Sequence, residues 1–178
     1  MIKDDIKKIL VTEEQIIKRC EELGKENDKD YEGMSDILLV GILKGSVPFM
    51  AELIKHIESD IQIDFMAASS YSGTESLGDI KIVKDLDASI KGKNLLLVED
   101  IVDTGITIKH LKKLMYDKGA GSVKVVTLLD KPSRRTVDIS ADYIGFEVEN
   151  EFVVGFGLDY NQKYRNLPYV GVLKEELY

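Results

Sequence analysis

The sequence predicts an α/β fold in which helices flank a central, mostly parallel sheet. Apolar runs typical of buried strands alternate with amphipathic segments typical of helices, as in residues 37–43 followed by 47–57. The runs at 37–43 and 95–98 are continuously apolar, which is typical of parallel strands that are buried on both faces. Polar, glycine-containing segments follow both runs, so we expect the functional residues at the carboxyl edge of the sheet.

The other elements are expected in order along the chain. Thr12 to Gln15 has the pattern of an N-cap, which predicts a helix to about Asn27. We expect a single domain over residues 1–178, in which the N-terminal segment and the C-terminal third form a small hood lobe. The remaining strands are expected at 61–71, 80–83, 123–129, 143–146, 152–156 and 169–173, and a further helix at 106–117.

Composition and charge exclude several functional classes. The 178 residues are 44% hydrophobic, which is enough for one domain with a real core. The net charge of −8 and the lack of a long Lys/Arg block argue against a nucleic-acid partner. No apolar stretch approaches the ~20 residues of a membrane span, and no secretory signal begins the chain. The single cysteine, Cys20, excludes an internal disulfide framework, so we expect a cytoplasmic protein without a membrane partner.

Residues 99–107 carry the most specific chemistry in the chain. Glu99 and Asp100 directly follow an apolar run, which delivers them to the carboxyl edge of the sheet. The next segment offers successive backbone N–H groups and two hydroxyls at a helix start, which is a natural phosphate cradle. Carboxylates beside such a cradle would repel a phosphate, but a sugar with free hydroxyls, bound with Mg²⁺, resolves the conflict. The cradle consists of Asp103, Thr104, Gly105, Ile106 and Thr107.

This stretch resembles the phosphoribosyl diphosphate (PRPP) signature of type I phosphoribosyltransferases, and its Glu-Asp and Asp-Thr-Gly elements resemble the bacterial hypoxanthine-guanine branch. The resemblance implies the type I phosphoribosyltransferase fold. It also implies that the cradle holds the 5′-phosphate, while Glu99 and Asp100 hold the ribose hydroxyls or Mg²⁺. Asp103 is the candidate general base for the purine N7 proton.

Two further segments resemble parts of that family that surround the diphosphate. The segment 43–46 resembles the pyrophosphate loop, where Lys44 and the backbone of Gly45 would contact the diphosphate, together with Arg165. In the family the Leu-Lys peptide of this loop is often cis. An ordinary lysine at a strand–helix turn is the alternative interpretation. Ser70 and Tyr71 resemble the start of the family's active-site lid, and an ordinary surface loop is the alternative.

The purine site is implied by Lys131 and by residues 152–161. Lys131 matches the family lysine that donates to the purine O6, and a donor-only group accepts a 6-oxo but not a 6-amino substituent. A solvated lysine at a strand end is the alternative. Phe152 would stack on the base, the Val153 backbone would bond its edge, and Asp159 would lie near the base and a second metal. Taken alone, Phe152 is more often a core residue.

The implied reaction is purine salvage, in which the 5-phosphoribosyl group of PRPP passes to hypoxanthine or guanine and gives IMP or GMP with pyrophosphate. The implied cofactor is Mg²⁺, and the family implies a homodimer or homotetramer. One alternative is an enzyme of the same fold that acts on xanthine or a pyrimidine. Another is a PRPP-sensing regulator that binds nucleic acid, although the acidic charge and the short chain weigh against it.

Overall fold

The central feature of the computed structural model, which describes residues 2–70 and 80–178, is a six-stranded sheet. In chain order the strands are β1 (Ile6–Val11), β2 (Ile37–Ile42), β3 (Ile61–Ser70), β4 (Ile80–Lys84), β5 (Asn94–Val102), β6 (Ser122–Asp130), β7 (Tyr143–Glu147), β8 (Val153–Val154) and β9 (Val170–Leu173). The helices are α1 (Glu13–Asp30), α2 (Val47–Leu53) and α3 (Ile106–Asp117).

The large sheet has the order β4-β3-β2-β5-β6-β7. Four of its neighbouring pairs are parallel, and only β3 and β4 are antiparallel, so the predicted mostly parallel sheet is confirmed. Leu96 and Val98 pack in a cluster with side chains of α1 and α2, whereas Leu95 and Leu97 pack with side chains of α3. Helices therefore cover both faces, which explains why the central strands are apolar without alternation.

Strand β5 is longer than its apolar run. The ladder between β5 and β6 continues as far as Val102 and Asp130, so Glu99 and Asp100 lie inside the strand and do not follow it. The expectation that the strand ends before these acids was wrong. Since backbone pairing persists beyond the apolar residues, hydropathy alone does not mark where this strand ends.

Two helices differ slightly from their predicted ranges. The capping box of α1 is present, since Thr12 Oγ1 accepts from Gln15 N at 3.3 Å and Gln15 Oε1 accepts from Thr12 N at 2.8 Å. This helix runs to Asp30, and α2 is followed from Ile54 by a turn of 3-10 helix.

Cys20 is fully buried in α1, where burial raises the pKa of its thiol to about 12.

A second, three-stranded sheet has the order β1-β9-β8 and is antiparallel. It pairs a strand of the N-terminal segment with strands of the C-terminal third, and β1 itself was not predicted. The strand predicted over 152–156 shortens to two residues. Gly155 and Phe156 have φ values of +98° and +46°, and this left-handed backbone ends the strand.

Within the described residues, no helix combines the length and the apolarity needed to cross a membrane.

Candidate active site

The first cavity lies at the carboxyl ends of β2 and β5 and has a volume of about 300 Å³. Both acids of β5 open into it, together with four of the five cradle residues. Ile106, the fifth, is not part of its lining. Predicted residues in the lining are Lys44, Gly45, Glu99, Asp100, Asp103, Thr104, Gly105, Thr107 and Arg165. The carboxylates, the cradle and the two cations therefore face one space, which is the arrangement that the sequence predicts.

Gly105 shapes the turn that leads from β5 into α3. It is the N-cap of α3 and has a φ of +85°, a conformation that side-chain-bearing residues rarely adopt. A Cβ at this position would also lie 2.4 Å from Cγ2 of Ile139. The first amides of a helix have no carbonyl partner within it, so the start of α3 can donate several N–H groups to an anion.

Arg135 fixes this turn from outside the cavity. Its Nη1 donates to the main-chain oxygens of Val102 at 3.1 Å and Asp103 at 2.5 Å. Its Nη2 pairs with the carboxylate of Asp130, which is buried at the end of β6. Because Asp130 neutralises the guanidinium, Arg135 orders the turn without adding an unpaired charge.

The two acids of β5 are held in an environment that disfavours their charge. Burial, reinforced by the neighbouring Asp100, holds the pKa of the Glu99 carboxyl well above its usual range. Burial also raises the pKa of Asp100 to about 6, although Arg165 opposes the shift. A cation bound beside such buried carboxyl groups stabilises their ionised form.

The loop between β2 and α2 packs tightly against these acids. The Leu43–Lys44 peptide is cis, as is common in the family that the loop resembles. A Cβ on Gly45 would lie only 1.6 Å from Oδ2 of Asp100, and a Cβ on Gly157 would lie 1.9 Å from the carbonyl oxygen of Gly45. Three separate chain segments are therefore in contact here, and two of them have no space for a side chain.

Two cations stand opposite the acids. Lys44 Nζ and Arg165 Nη2 each donate to Oε1 of Gln162, both at 3.3 Å. Arg165 also donates to the carbonyl oxygen of Gly157 at 2.7 Å and pairs with Asp159 at 2.8 Å. For Lys44 the neutral amide oxygen is a weak partner, so an anionic ligand such as a diphosphate would bind this cation more strongly. The same ligand would compete with Asp159 for Arg165.

A second cavity of about 490 Å³ adjoins the first. Lys131 is buried in its wall, where its Nζ donates to the carbonyl oxygen of Glu151 at 2.6 Å. Burial lowers the pKa of this ammonium group. The alternative of a solvated lysine at a strand end was therefore wrong. The lining comprises Ile101, Asp103, Lys131, Arg134, Asn150, Glu151, Phe152, Val153, Leu158, Asp159 and Tyr178.

Phe152 and Val153 both present groups to this second cavity. Phe152 is 36% exposed, so it is not a core residue. Its carbonyl oxygen accepts from Leu173 N at 3.0 Å and so points toward β9. Backbone groups of successive residues in a strand point to opposite edges, which directs those of Val153 to the free edge of β8.

Asp103 stands at the junction of the two cavities, since it lines both of them together with Ile101. Its Oδ1 forms an ion pair with Nε of Arg134 at 2.7 Å. The carboxylate is thus within reach of ligands on either side. Its position is suited to a group that acts on one ligand while its backbone helps to bind the other.

The predicted metal ligands lie in two cavities, Glu99 and Asp100 in the first and Asp159 in the second. In residues 2–70 and 80–178, no group of three His, Cys, Asp or Glu side chains is arranged to hold a metal ion by itself. Asp159 lines the second cavity, and it accepts from Gln162 N at 2.8 Å in addition to its pair with Arg165. The β5 acids nonetheless fit Mg²⁺, because one or two carboxylates usually bind this ion together with substrate oxygens.

Comparison with known proteins agrees with this geometry. The phosphoribosyl transferase domain profile matches residues 8–161. A hypoxanthine-guanine phosphoribosyltransferase of Streptococcus agalactiae serotype V is 57% identical over 179 residues, which cover 100% of this chain and 99% of the relative. The chain belongs to the hypoxanthine-guanine phosphoribosyltransferase family.

Solved structures of the family have the same fold. The crystal structure of a hypoxanthine phosphoribosyltransferase from Staphylococcus aureus, in its tetragonal form, has a TM-score of 0.95 at 51% identity, covering 99% of this chain and 96% of that one. A hypoxanthine-guanine phosphoribosyltransferase from Bacillus anthracis, with HEPES in its active site, has a TM-score of 0.89 at 45% identity, covering 96% and 98%. The predicted type I phosphoribosyltransferase fold is therefore confirmed.

Several residues of this phosphoribosyltransferase site were not predicted from the sequence. Among them are Ile101, Arg134, Arg135, Gln162 and Tyr178. Two adjacent arginines just beyond a strand end, in an acidic chain, were an available signal. Ile101 gave no such signal, since an isoleucine in a strand is normally a core residue.

The predicted lid of the phosphoribosyltransferase starts at Ser70 and Tyr71. Tyr71 and residues 72–79 lie outside the described part of the chain. Ser70 is the last residue of β3.

We predict that Asp100→Asn raises the thermal stability of the metal-free protein at pH 7.5. Folding raises the pKa of Asp100 from 3.8 to about 6, so the ionised carboxylate destabilises the folded state. This destabilisation is complete above pH 6 and disappears as the pH falls toward 4. The gain should be about 1–3 kcal/mol at pH 7.5 and close to zero at pH 4. Melting temperatures measured from pH 4 to 8 test this, with the exposed Asp138→Asn as control. A gain that is independent of pH would contradict it.

Proposed function

We propose that this chain transfers the 5-phosphoribosyl group of PRPP to hypoxanthine or guanine, forming IMP or GMP and pyrophosphate. The observation that carries the proposal is the junction at Asp103. A cavity with an amide cradle and two cations meets a cavity with a buried lysine and an exposed aromatic ring. The first has the chemistry of a phosphorylated sugar site, and the second has that of a 6-oxopurine site.

The cradle at the start of α3 fixes the sugar. The amides and hydroxyls of residues 103–107 bind the 5′-phosphate, so the ribose C1′ is held in one position. Glu99 and Asp100 accept hydrogen bonds from the ribose hydroxyls or hold the waters of the metal ion. This anchoring is done mainly by main-chain groups, which require no rearrangement when the ligand enters.

The leaving group is pyrophosphate, which gains negative charge as the bond from C1′ to its oxygen breaks. Lys44 and Arg165 bind its oxygens in place of the Gln162 amide, and the backbone of Gly45 donates to it. When Mg²⁺ is bound beside Glu99 and Asp100, it supplies charge compensation for the pyrophosphate and the ribose hydroxyls. We assign Asp159 a place near the base and a second metal ion.

The second cavity holds and reads the purine. Phe152 stacks on the ring, and the backbone of Val153 bonds its edge. Lys131 exchanges its bond to the Glu151 carbonyl for one to the purine O6. An ammonium group can only donate, so a 6-amino purine would leave two donors facing each other. The 2-position is not distinguished by these contacts, which is why hypoxanthine and guanine are both accepted.

Asp103 completes the reaction as general base. The bond from the purine N9 to C1′ forms while the bond from C1′ to pyrophosphate breaks, and the N7 proton passes to the Asp103 carboxylate. This step requires Asp103 to leave its ion pair with Arg134 or to act within it. General base help supplies about 10²–10⁴-fold, so positioning and electrostatics supply the remaining acceleration.

The assay that tests the function combines the protein with PRPP, Mg²⁺ and one base at a time. Hypoxanthine and guanine should release pyrophosphate, whereas adenine and uracil should not. EDTA in excess of the metal should abolish release. If only xanthine or uracil were turned over, that base would replace the proposed substrate. If none of the bases led to pyrophosphate release, a PRPP-sensing regulator would be favoured.

Asp103→Asn should lower turnover at least about tenfold while PRPP binding stays within about twofold. The amide keeps the shape of the side chain but cannot accept the N7 proton. Steady-state rates and calorimetric titration with PRPP measure the two effects, and Asp138→Asn provides an exposed control. Turnover close to that of the unsubstituted protein would refute the role of Asp103 as base.

Lys131→Ala should raise the KM for hypoxanthine about 10- to 100-fold and change the KM for PRPP little. A hydrogen bond to a charged group contributes about 1.5–3 kcal/mol, and each 1.4 kcal/mol is about tenfold in affinity. Lys113→Ala is the matched control, because its side chain is 77% exposed on α3. Equal changes in both KM values would argue that Lys131 supports the fold and does not read the base.

The cytoplasm is the expected location of this activity, and a homodimer or homotetramer is the expected assembly. Both remain predictions.

A further inference from the structure

Three aromatic rings form a cluster, and two of them line the second cavity. Phe152 and Tyr178 are stacked, with ring centroids 4.5 Å apart and planes 21° apart. Tyr160 meets Phe152 edge-on at 5.5 Å and 90°, and its ring lies 6.4 Å from that of Tyr178. Phe152 and Tyr178 both line the cavity, whereas Tyr160 does not.

The stack with Tyr178 covers one face of Phe152. Centroids 4.5 Å apart are at the short end of the range for paired rings, so no third ring fits between Phe152 and Tyr178. Tyr160 has its centroid well to the side of the stacking direction, as the three distances require. Phe152 is nevertheless 36% exposed and lines the second cavity, so it remains accessible to a base there.

Tyr178 is held in place by contacts outside the purine cavity. It follows a turn of 3-10 helix at Glu175–Leu177. That turn is attached to the small sheet, because Lys174 N donates to the carbonyl oxygen of Asp5 at 3.0 Å. An ion pair between Lys7 and Glu175 at 2.9 Å makes a second attachment. Both contacts attach the segment that carries Tyr178 to the small sheet, and neither involves a residue that lines the purine cavity.

We propose that Tyr178 is a positioning residue for the purine, which acts by backing Phe152. The inference rests on the proposed function and adds to it a residue that the reaction itself does not require. With Tyr178 behind it and Tyr160 at its edge, the Phe152 ring is fixed with its free face toward the base. The purine then completes a stack of three rings, and no side-chain freedom of Phe152 is lost on binding.

Removal of the backing ring should weaken the binding of the base selectively. An aromatic pair contributes about 0.5–1.5 kcal/mol, which corresponds to a change of about three- to tenfold. Tyr178→Ala should therefore raise the KM for hypoxanthine about three- to tenfold, with kcat and the KM for PRPP within about twofold. Tyr178→Phe keeps the ring without the hydroxyl and should restore the KM of the unsubstituted protein.

Leu177→Ala is the matched control. Leu177 is the neighbouring residue, is 36% exposed and lines neither cavity. It should leave all three kinetic constants unchanged. If Leu177→Ala raised the KM for hypoxanthine as much as Tyr178→Ala, the effect would belong to the segment and the inference would fail.

A binding measurement without turnover makes the test independent of the chemical step. Calorimetric titration with GMP should give a dissociation constant about three- to tenfold higher for Tyr178→Ala, whereas titration with ribose 5-phosphate should give equal values. The chain has no tryptophan, so Tyr178→Trp introduces a single fluorescent reporter. Its emission maximum should stay constant as GMP binds, since the ring remains stacked on Phe152.

Two results would overturn the inference. An unchanged KM for hypoxanthine in Tyr178→Ala would mean that the tyrosine does not contribute to base binding. A lowered KM would mean that its ring occupies the place of the base. A red shift of the indole emission of Tyr178→Trp on GMP binding would likewise mean that the ring is displaced. If the unsubstituted protein turned over no purine and bound no GMP, the proposed function would fail first and this inference with it.

Discussion

The left-handed turn between β5 and α3 is the constraint on which the whole site depends. Gly105 allows the chain to reverse within a few residues, so a strand that carries two acids leads directly into a helix start that binds anions. Arg135 fixes the turn through two main-chain oxygens, and Asp130 holds Arg135. The position of Asp103 between the cavities follows from this turn, because its backbone is part of it.

Two walls of the first cavity carry opposite charges. Glu99 and Asp100 are on one wall with pKa values raised by burial, while Lys44 and Arg165 are on another and share a neutral amide oxygen. Among the described contacts no ion pair joins these two walls, and Arg165 pairs instead with Asp159 at 2.8 Å. Shifted pKa values of this kind are common at functional sites, where a ligand supplies the missing charge.

Elements with local sequence signals were predicted well, and elements that depend on distant partners were not. The continuous apolar runs identified β2 and β5, and the change from an apolar run to a polar turn located the residues of the first cavity. By contrast, β1 pairs with β9 from the far end of the chain, which no local pattern reveals. Arg135 escaped notice for the same reason, since it follows β6 but donates to main-chain oxygens at the end of β5.

The sharing of Asp103 by both cavities has a thermodynamic consequence. A ligand on one side that changes the charge or the orientation of this carboxylate alters the free energy of binding on the other side. Such heterotropic coupling is reciprocal, so the factor by which the sugar phosphate changes affinity for the base must equal the factor in the reverse direction. Any change in the ion pair between Asp103 and Arg134 on binding contributes to that common factor. One carboxylate thus makes two neighbouring sites a single cooperative unit.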